Sequence, residues 1–202
     1  EVGVASGLVV SWPGVIKPGS KTDTIVEYVD VVPTILEAAG SEIPESLDGR
    51  SFLPVLRGTE NRHKKYAYSL QTTVGVNGVK QAYGIRSVVN ERYRLVLNLF
   101  PENEFSIPSS RRLLEETSQM GEREKQFAHR YTKRPAVELF DVLEDPYCQK
   151  NLAGEPRLAN QRKILTHALE QWMLSQNDQG RSTELAAEQR QAEWKQVQYR
   201  QR

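Results

Sequence analysis

The side chains with the clearest binding chemistry lie in the middle of the chain. Gln71, Thr72 and Thr73 stand in the segment Ser-Leu-Gln-Thr-Thr-Val-Gly, and their amide and hydroxyl groups can exchange hydrogen bonds with the hydroxyl groups of a ligand. Arg86 can hold an anionic group through two parallel hydrogen bonds. Structural alternatives stay open at this point, because the first three residues can satisfy an ordinary turn and Arg86 can form an ion pair within a sheet.

The sequence predicts no catalytic residue and no metal ligand. The three histidines, His63, His129 and His167, have no partner at the spacing of metal ligands. We expect His63 to lie on an exposed loop, since its neighbours are basic. Cys148 is the single cysteine, which excludes an internal disulfide framework and a zinc site made of several cysteines.

The composition fits one domain, or a small domain with extensions. The chain has 202 residues, of which 38% are apolar, and a formal net charge of +1. This charge gives no reason to expect nucleic acid or a membrane surface as a partner, and no apolar run approaches the ~20 residues of a membrane span. Because the chain begins with Glu and runs almost directly into apolar residues, we expect it to be a piece of a longer protein.

The first forty residues have the pattern of a strand, a loop and a helix. Residues 8–10 form a short apolar run typical of a buried strand, and Trp12-Pro13-Gly14 ends it. Asp30 is predicted to cap a helix that ends at Gly40. The apolar face of that helix consists of Val32, Ile35, Leu36 and Ala39. A short helical turn is expected at 52–56 in the loop that follows.

The remainder predicts a small antiparallel sheet and a covering helix. Strands are expected at Tyr66–Leu70, Tyr83–Val89, Arg92–Leu99 and Val137–Val142. Asn90-Glu91 reads as a tight hairpin connection. A helix follows Pro156, and we expect Trp172 to anchor it on one face of the sheet and Trp194 to matter far less. Residues 111–131 are predicted to be partly helical and mostly exposed, and 181–202 to be an exposed helix or an unstructured tail.

Several motifs, in this order and at this spacing, resemble the late part of a type I sulfatase. The opening motifs are Leu-Val-Val-Ser-Trp-Pro-Gly at 8–14, Tyr-Val-Asp-Val-Val-Pro-Thr-Ile-Leu-Glu-Ala-Ala-Gly at 28–40 and Leu-Asp-Gly-Arg-Ser-Phe-Leu-Pro-Val-Leu-Arg-Gly at 47–58. Segments 83–89, 93–99, 138–146 and 151–153 resemble the strands and the following loop of that family's C-terminal subdomain. Gln171-Trp-Met and Asp178-Gln-Gly resemble the closing helix of its heparan N-sulfatase branch.

The resemblance implies a fold. The class is α/β, and α+β within this segment: the edge of an alkaline-phosphatase-like α/β sheet, then a small four-stranded antiparallel sheet packed on a C-terminal helix. The implied domains are 1–62, the end of the N-terminal sulfatase domain; 63–180, the C-terminal subdomain; and 181–202, a charged tail. The family also implies a periplasmic, secreted or lysosomal location.

The resemblance also implies a function. Such enzymes use a formylglycine, made from the first residue of a Cys/Ser-x-Pro-x-Arg motif, and a calcium ion. The motif is absent here, and Cys148 lies in Tyr-Cys-Gln-Lys-Asn, which does not match. We therefore expect part of a hydrolase of sulfate esters or N-sulfates of sulfated sugars, such as glycosaminoglycans, that binds neither cofactor itself and is inactive without the missing N-terminal sulfatase domain.

What remains for this segment is a substrate rim, in which Gln71, Thr72, Thr73 and Arg86 would face the sulfated carbohydrate. Two alternatives stay open. One is a portion of a phosphodiesterase or phosphatase of the same superfamily, and the other is a binding module without catalysis.

Overall fold

A computed structural model describes residues 6–72, 81–105, 112, 114–117, 119–187 and 189–193. Its helices are 3-10 turns at Tyr28–Asp30 and Pro156–Leu158, α1 at Val31–Ala38, α2 at Leu53–Leu56, α3 at Glu122–Thr132, α4 at Ala159–Ser175 and α5 at Arg181–Leu185. Its strands are β1 at Ala67–Gln71, β2 at Ile85–Val89, β3 at Tyr93–Asn98 and β4 at Val137–Asp141. Within this part of the chain, no helix has both the length and the apolar character needed to cross a bilayer.

The strands form one antiparallel sheet in the order β1-β2-β3-β4. Val88 of β2 lies opposite Leu95 of β3, which lies opposite Leu139 of β4, so a row of apolar side chains crosses the sheet. The Oδ1 atom of Asn90 accepts a hydrogen bond from the backbone N–H of Arg92 at 2.9 Å and thereby closes the hairpin. The four predicted strands and this hairpin are confirmed.

The core lies between the sheet and α4. Its fully buried members are Val88, Leu95, Leu139, Leu165 and Leu169, each 0% exposed. The two α4 leucines are four residues apart and therefore point from the same face of the helix. The predicted packing of this helix on one face of the sheet is confirmed.

Trp172 is half-buried rather than fully buried, and its role as the anchor of the helix stays a prediction. Its ring stacks on Tyr68 with centroids 5.0 Å apart and an interplanar angle of 1°, and both rings pack against the margin of the core. The fully buried contacts of the helix come from Leu165 and Leu169, which lie two turns and one turn earlier, respectively. Trp194 lies outside the described residues.

The segment 6–27 contains no strand, so the predicted strand at residues 8–10 is wrong for this chain. Leu8, Val9 and Val10 are exposed by 51%, 94% and 40%. A buried strand needs hydrogen-bonding neighbours on its edges, and no described strand pairs with these residues. Helix α1 forms as predicted, but its apolar residues Val32 and Ile35 are also exposed, by 52% and 61%.

The loop after α1 folds back against the 3-10 turn. Gly49 marks the contact, since a Cβ at this position would lie 1.9 Å from the carbonyl oxygen of Val29. Only glycine allows two backbone segments to approach this closely. Helix α2 follows, with Phe52 and Leu53 buried, and confirms the predicted turn at 52–56.

The two charged segments, 111–131 and 181–202, both contain helices, and the second has a buried residue that was not expected. Helix α3 confirms the helical part of 111–131, and Ala128 is its one buried residue. In α5, however, Glu184 is only 1% exposed. The expectation of an exposed tail is therefore wrong for its first turn, and residues 194–202 lie outside the described part.

Candidate functional site

The predicted rim residues divide between described and undescribed parts of the chain. Gln71 ends β1 opposite Ile85, and Gln71 and Thr72 are both half-buried. The Oγ1 atom of Thr72 is buried and has no hydrogen-bond partner among the described residues. Thr73 lies outside them. An unsatisfied buried hydroxyl costs free energy, which makes Thr72 the rim residue with a hydrogen bond left to make in this part of the chain.

Arg86 lies in the sheet immediately beside that rim and is 2% exposed. Its Nε donates a hydrogen bond to Asp178 Oδ2 at 2.5 Å, and its Nη1 lies 3.7 Å from Glu184 Oε2. The same Nη1 donates to the carbonyl oxygens of Gln71 at 3.3 Å and Ile85 at 3.1 Å. These contacts are those of the structural alternative, a buried ion pair. A substrate role for Arg86 stays a prediction.

The carboxylate of Asp178 is tuned by this pairing. Burial raises its pKa, but the hydrogen bonds from Arg86 and from the Gly180 N–H outweigh burial and leave the pKa below its ordinary value. Gly84 supplies the room for the second carboxylate, since a Cβ there would lie 2.9 Å from the Glu184 side chain. Arg86, Asp178 and Glu184, together the Arg86 cluster, therefore fix the end of β1 that carries Gln71.

A second group of charged side chains ties the N-terminal segment to β1, and we call Glu27, Asp30, His63 and Lys64 the Asp30 cluster. Lys64 Nζ lies 2.7 Å from Glu27 Oε2 and 2.8 Å from Asp30 Oδ1. His63 Nε2 lies 3.2 Å from Asp30 Oδ2. Glu27 Oε1 accepts a hydrogen bond from the backbone N–H of Tyr68 at 2.9 Å, which fastens the edge strand.

The Asp30 cluster corrects two expectations. The side chain of Asp30 makes no capping hydrogen bond to α1; instead it accepts hydrogen bonds from the backbone N–H groups of Glu27 at 2.9 Å and Arg50 at 3.0 Å. The side chain of His63 is 4% exposed rather than solvated, because the loop folds back and places the Phe52 ring edge-on to it, with centroids 5.9 Å apart.

Burial and charge set the ionisation of this cluster. Burial lowers the pKa of His63, and the opposing attraction of Asp30 does not restore it. Burial acts to raise the pKa of Asp30, but the hydrogen bonds from Lys64 and from backbone N–H groups prevail, so this pKa is lowered. The two shifts favour an ionised Asp30 beside a neutral His63.

Neither cluster has the side chains of a metal site among the described residues. The described ranges contain no group of three or more His, Cys, Asp or Glu side chains that could hold a metal ion. Sequence reasoning missed Asp178, Glu184 and the partners of His63, because the ion pair joins residues 92 positions apart. The segment Asp178-Gln-Gly has the composition of a turn, and Gly180 has a φ of 63° there. It was the available sequence signal for this end of the Arg86 cluster.

Comparison with known proteins assigns the chain to a family. Residues 1–109 match the sequence profile described as N-sulphoglucosamine sulphohydrolase, C-terminal. An ulvan-active sulfatase of Formosa agariphila is 31% identical over 88% of this chain and 34% of its own length. Human N-sulphoglucosamine sulphohydrolase is 30% identical over 83% of this chain and 38% of its own length.

A solved structure of a protein in complex with D-glucosamine-2-N,6-O-disulfate shares the fold, with a TM-score of 0.57 at 21% identity over 84% of this chain and 28% of that chain. The fold class expected from the sequence is confirmed. The chain spans 34% and 38% of the length of the two curated relatives. The match over residues 1–109 covers more than half of the chain, and the chain belongs to the sulfatase family whose C-terminal region that profile describes.

Proposed function

We propose that this chain is the C-terminal part of a sulfatase that hydrolyses sulfate esters or N-sulfates of sulfated sugars. The observation that carries the proposal is the family match over residues 1–109. The names of the relatives add support, since an ulvan-active sulfatase and N-sulphoglucosamine sulphohydrolase both match more than 80% of the chain. No observation favours the phosphatase or the purely binding alternative.

The nucleophile and the metal belong, in this proposal, to the remainder of the longer protein. The described residues do not fit a calcium site, because no acidic or histidine cluster of the required size occurs among them. The sequence also lacks the motif from which formylglycine is made. This segment would therefore complete a substrate pocket whose chemistry is performed elsewhere.

The role of this segment is to hold a rim. The Arg86 cluster fixes the end of β1 through the carbonyl of Gln71. The next residue is Thr72, whose hydroxyl has no hydrogen-bond partner among the described residues. Such a hydroxyl can donate to or accept from a sugar hydroxyl or a sulfate oxygen. The sheet holds the substrate rim in one geometry. This favours binding, because little conformational entropy is lost when the ligand binds.

The test uses the longer protein that contains this chain, produced with formylglycine in place. We expect it to release sulfate from N-sulfoglucosamine or from glucosamine 6-O-sulfate, and Thr72→Ala to raise KM. Thr166→Ala, a change of the same side chain on α4, is the control that leaves KM unaltered. Hydrolysis of an aryl phosphodiester without release of sulfate from any sulfated sugar would overturn the proposal.

A further inference from the structure

A groove runs along α4 beside the edge strand β1, next to Tyr68, whose backbone N–H donates to Glu27 of the Asp30 cluster. It has a volume of about 730 Å³, within the range of small-ligand pockets. Its lining includes Tyr66 and Tyr68 from β1 and its approach, and Lys163, His167 and Trp172 from α4. The described rim residues Gln71, Thr72 and Arg86 do not line it.

The floor of this groove is aromatic and preformed. Tyr68 and Trp172 lie parallel with centroids 5.0 Å apart, and the Tyr66 ring lies 6.3 Å from that of Tyr68. All three rings pack against the buried core on one side and remain half-exposed on the other. The face of an aromatic ring carries partial negative charge, and it therefore suits the C–H face of a sugar ring.

The border of the groove formed by α4 is polar. Lys163, His167 and Gln171 follow one another at intervals of four and so share one face of α4, and all three are exposed. Lys65 lies just outside, with its Nζ 5.2 Å from the centroid of the Tyr66 ring. Among the described residues that line the groove, none is Asp or Glu. Cationic and amide groups around an aromatic floor are complementary to a ring that bears anionic substituents.

The polar side chains of α4 that border the groove do not contribute to the buried core. The helix is held by Leu165 and Leu169, which are both fully buried, whereas Lys163, His167 and Gln171 point away from that core. Their exposure leaves them available to a ligand.

We propose that this groove is a second carbohydrate subsite, which binds a sulfated sugar unit of the same polymer outside the catalytic pocket. The proposal rests on the proposed function for the class of ligand. Tyr68 and Trp172 support the ring, and Lys163 and His167 contact its sulfate groups. Such a subsite raises affinity for longer substrates, because a second contact on one chain acts at high effective concentration.

The experiment compares two lengths of substrate in the longer protein. The variant is Lys163→Glu with His167→Ala, and the matched control is Lys150→Glu, an exposed lysine that does not line the groove. The probes are a heparin-derived hexasaccharide, its desulfated form and an N-sulfated disaccharide. Binding is measured by calorimetry and hydrolysis by sulfate release, so the two proposals have separate readouts.

We expect the variant to weaken hexasaccharide binding about fivefold, the upper range for exposed charge pairs, and to leave KM and kcat for the disaccharide unchanged. The desulfated hexasaccharide should bind the original protein and the variant equally weakly. An unchanged dissociation constant for the hexasaccharide would overturn the subsite. If the variant also lowered thermal stability without changing binding, the groove would be covered by polypeptide, and the subsite would again be overturned. Binding that depends on Lys163 and His167 without any sulfate release would uphold the subsite and overturn the catalytic proposal.

Discussion

The apolar side chains of the N-terminal segment are exposed, whereas those of the C-terminal sheet are buried. In the sheet and α4, Leu95 and Leu169 are fully enclosed. In the N-terminal segment, Val9 and Ile35 are exposed by 94% and 61%, although this segment carries the opening family motifs. The sheet is therefore a self-contained packing unit, whereas the N-terminal segment presents an apolar surface that is typical of an interaction site.

The largest expected effect tests the sheet through its buried charges. Arg86→Ala leaves Asp178 buried without its hydrogen-bonded counter-ion, and breaking such a pair typically costs about 3–5 kcal/mol. Arg92→Ala is the matched control, because Arg92 pairs with Asp141 at 2.9 Å while its side chain is 51% exposed. Urea denaturation gives both free energies of unfolding. Similar losses for the two variants would mean that the Arg86 cluster does not hold the sheet.

A slightly smaller effect is expected from an apolar truncation in the core. Leu169→Ala removes a fully buried side chain from α4, and such changes cost about 2–5 kcal/mol. Ile35→Ala, on the exposed face of α1, should stay within about 0.5 kcal/mol in this chain. A large loss for Ile35→Ala in the chain by itself would contradict the contrast between the two regions. In the longer protein we expect that loss to grow, since the exposed apolar face of α1 can then pack against the rest of the protein.

Hydrogen exchange distinguishes the regions without substitution. The backbone N–H groups of residues 8–11 have no regular partner and should exchange within the dead time of a manual experiment. Those of β3, which pairs on both edges, should be the slowest in the molecule. Equal protection of the two segments in the monomeric chain would contradict the difference in packing between the N-terminal segment and the sheet.

The smallest effect is a pH dependence at the junction of the two regions. The pKa of His63 is lowered by burial, so folding favours the neutral ring; its contribution is complete above the unfolded pKa of ~6.5 and is lost as the pH falls toward the lower folded value. Asp30, whose pKa is also lowered, adds a second loss at more acidic pH, below its ordinary range. His63→Gln should flatten the first step in a series of urea midpoints between about pH 7 and 5.

The pattern of residues predicted the sheet well and the clusters poorly. Leucines alternating along β3 and a glycine-free helix after Pro156 are local signals, and both elements formed where expected. The burial of His63 and the partners of Arg86 depend on segments that meet only after folding. The strand predicted at residues 8–10 was wrong for a related reason. An apolar run indicates that a segment favours burial, but it does not identify the segment against which it packs.

The close approach at Gly49 makes this position a point of mutational intolerance that a survey of side-chain contacts would overlook. Substitution by alanine, the most conservative change available, introduces a carbon atom that would overlap the carbonyl of Val29. The displaced loop carries the Arg50 N–H that holds Asp30 at 3.0 Å, so one methyl group would loosen the joint between the two regions. In a library of random variants selected for activity of the longer protein, we expect position 49 to be depleted of every residue except glycine, although it contributes no side chain at all.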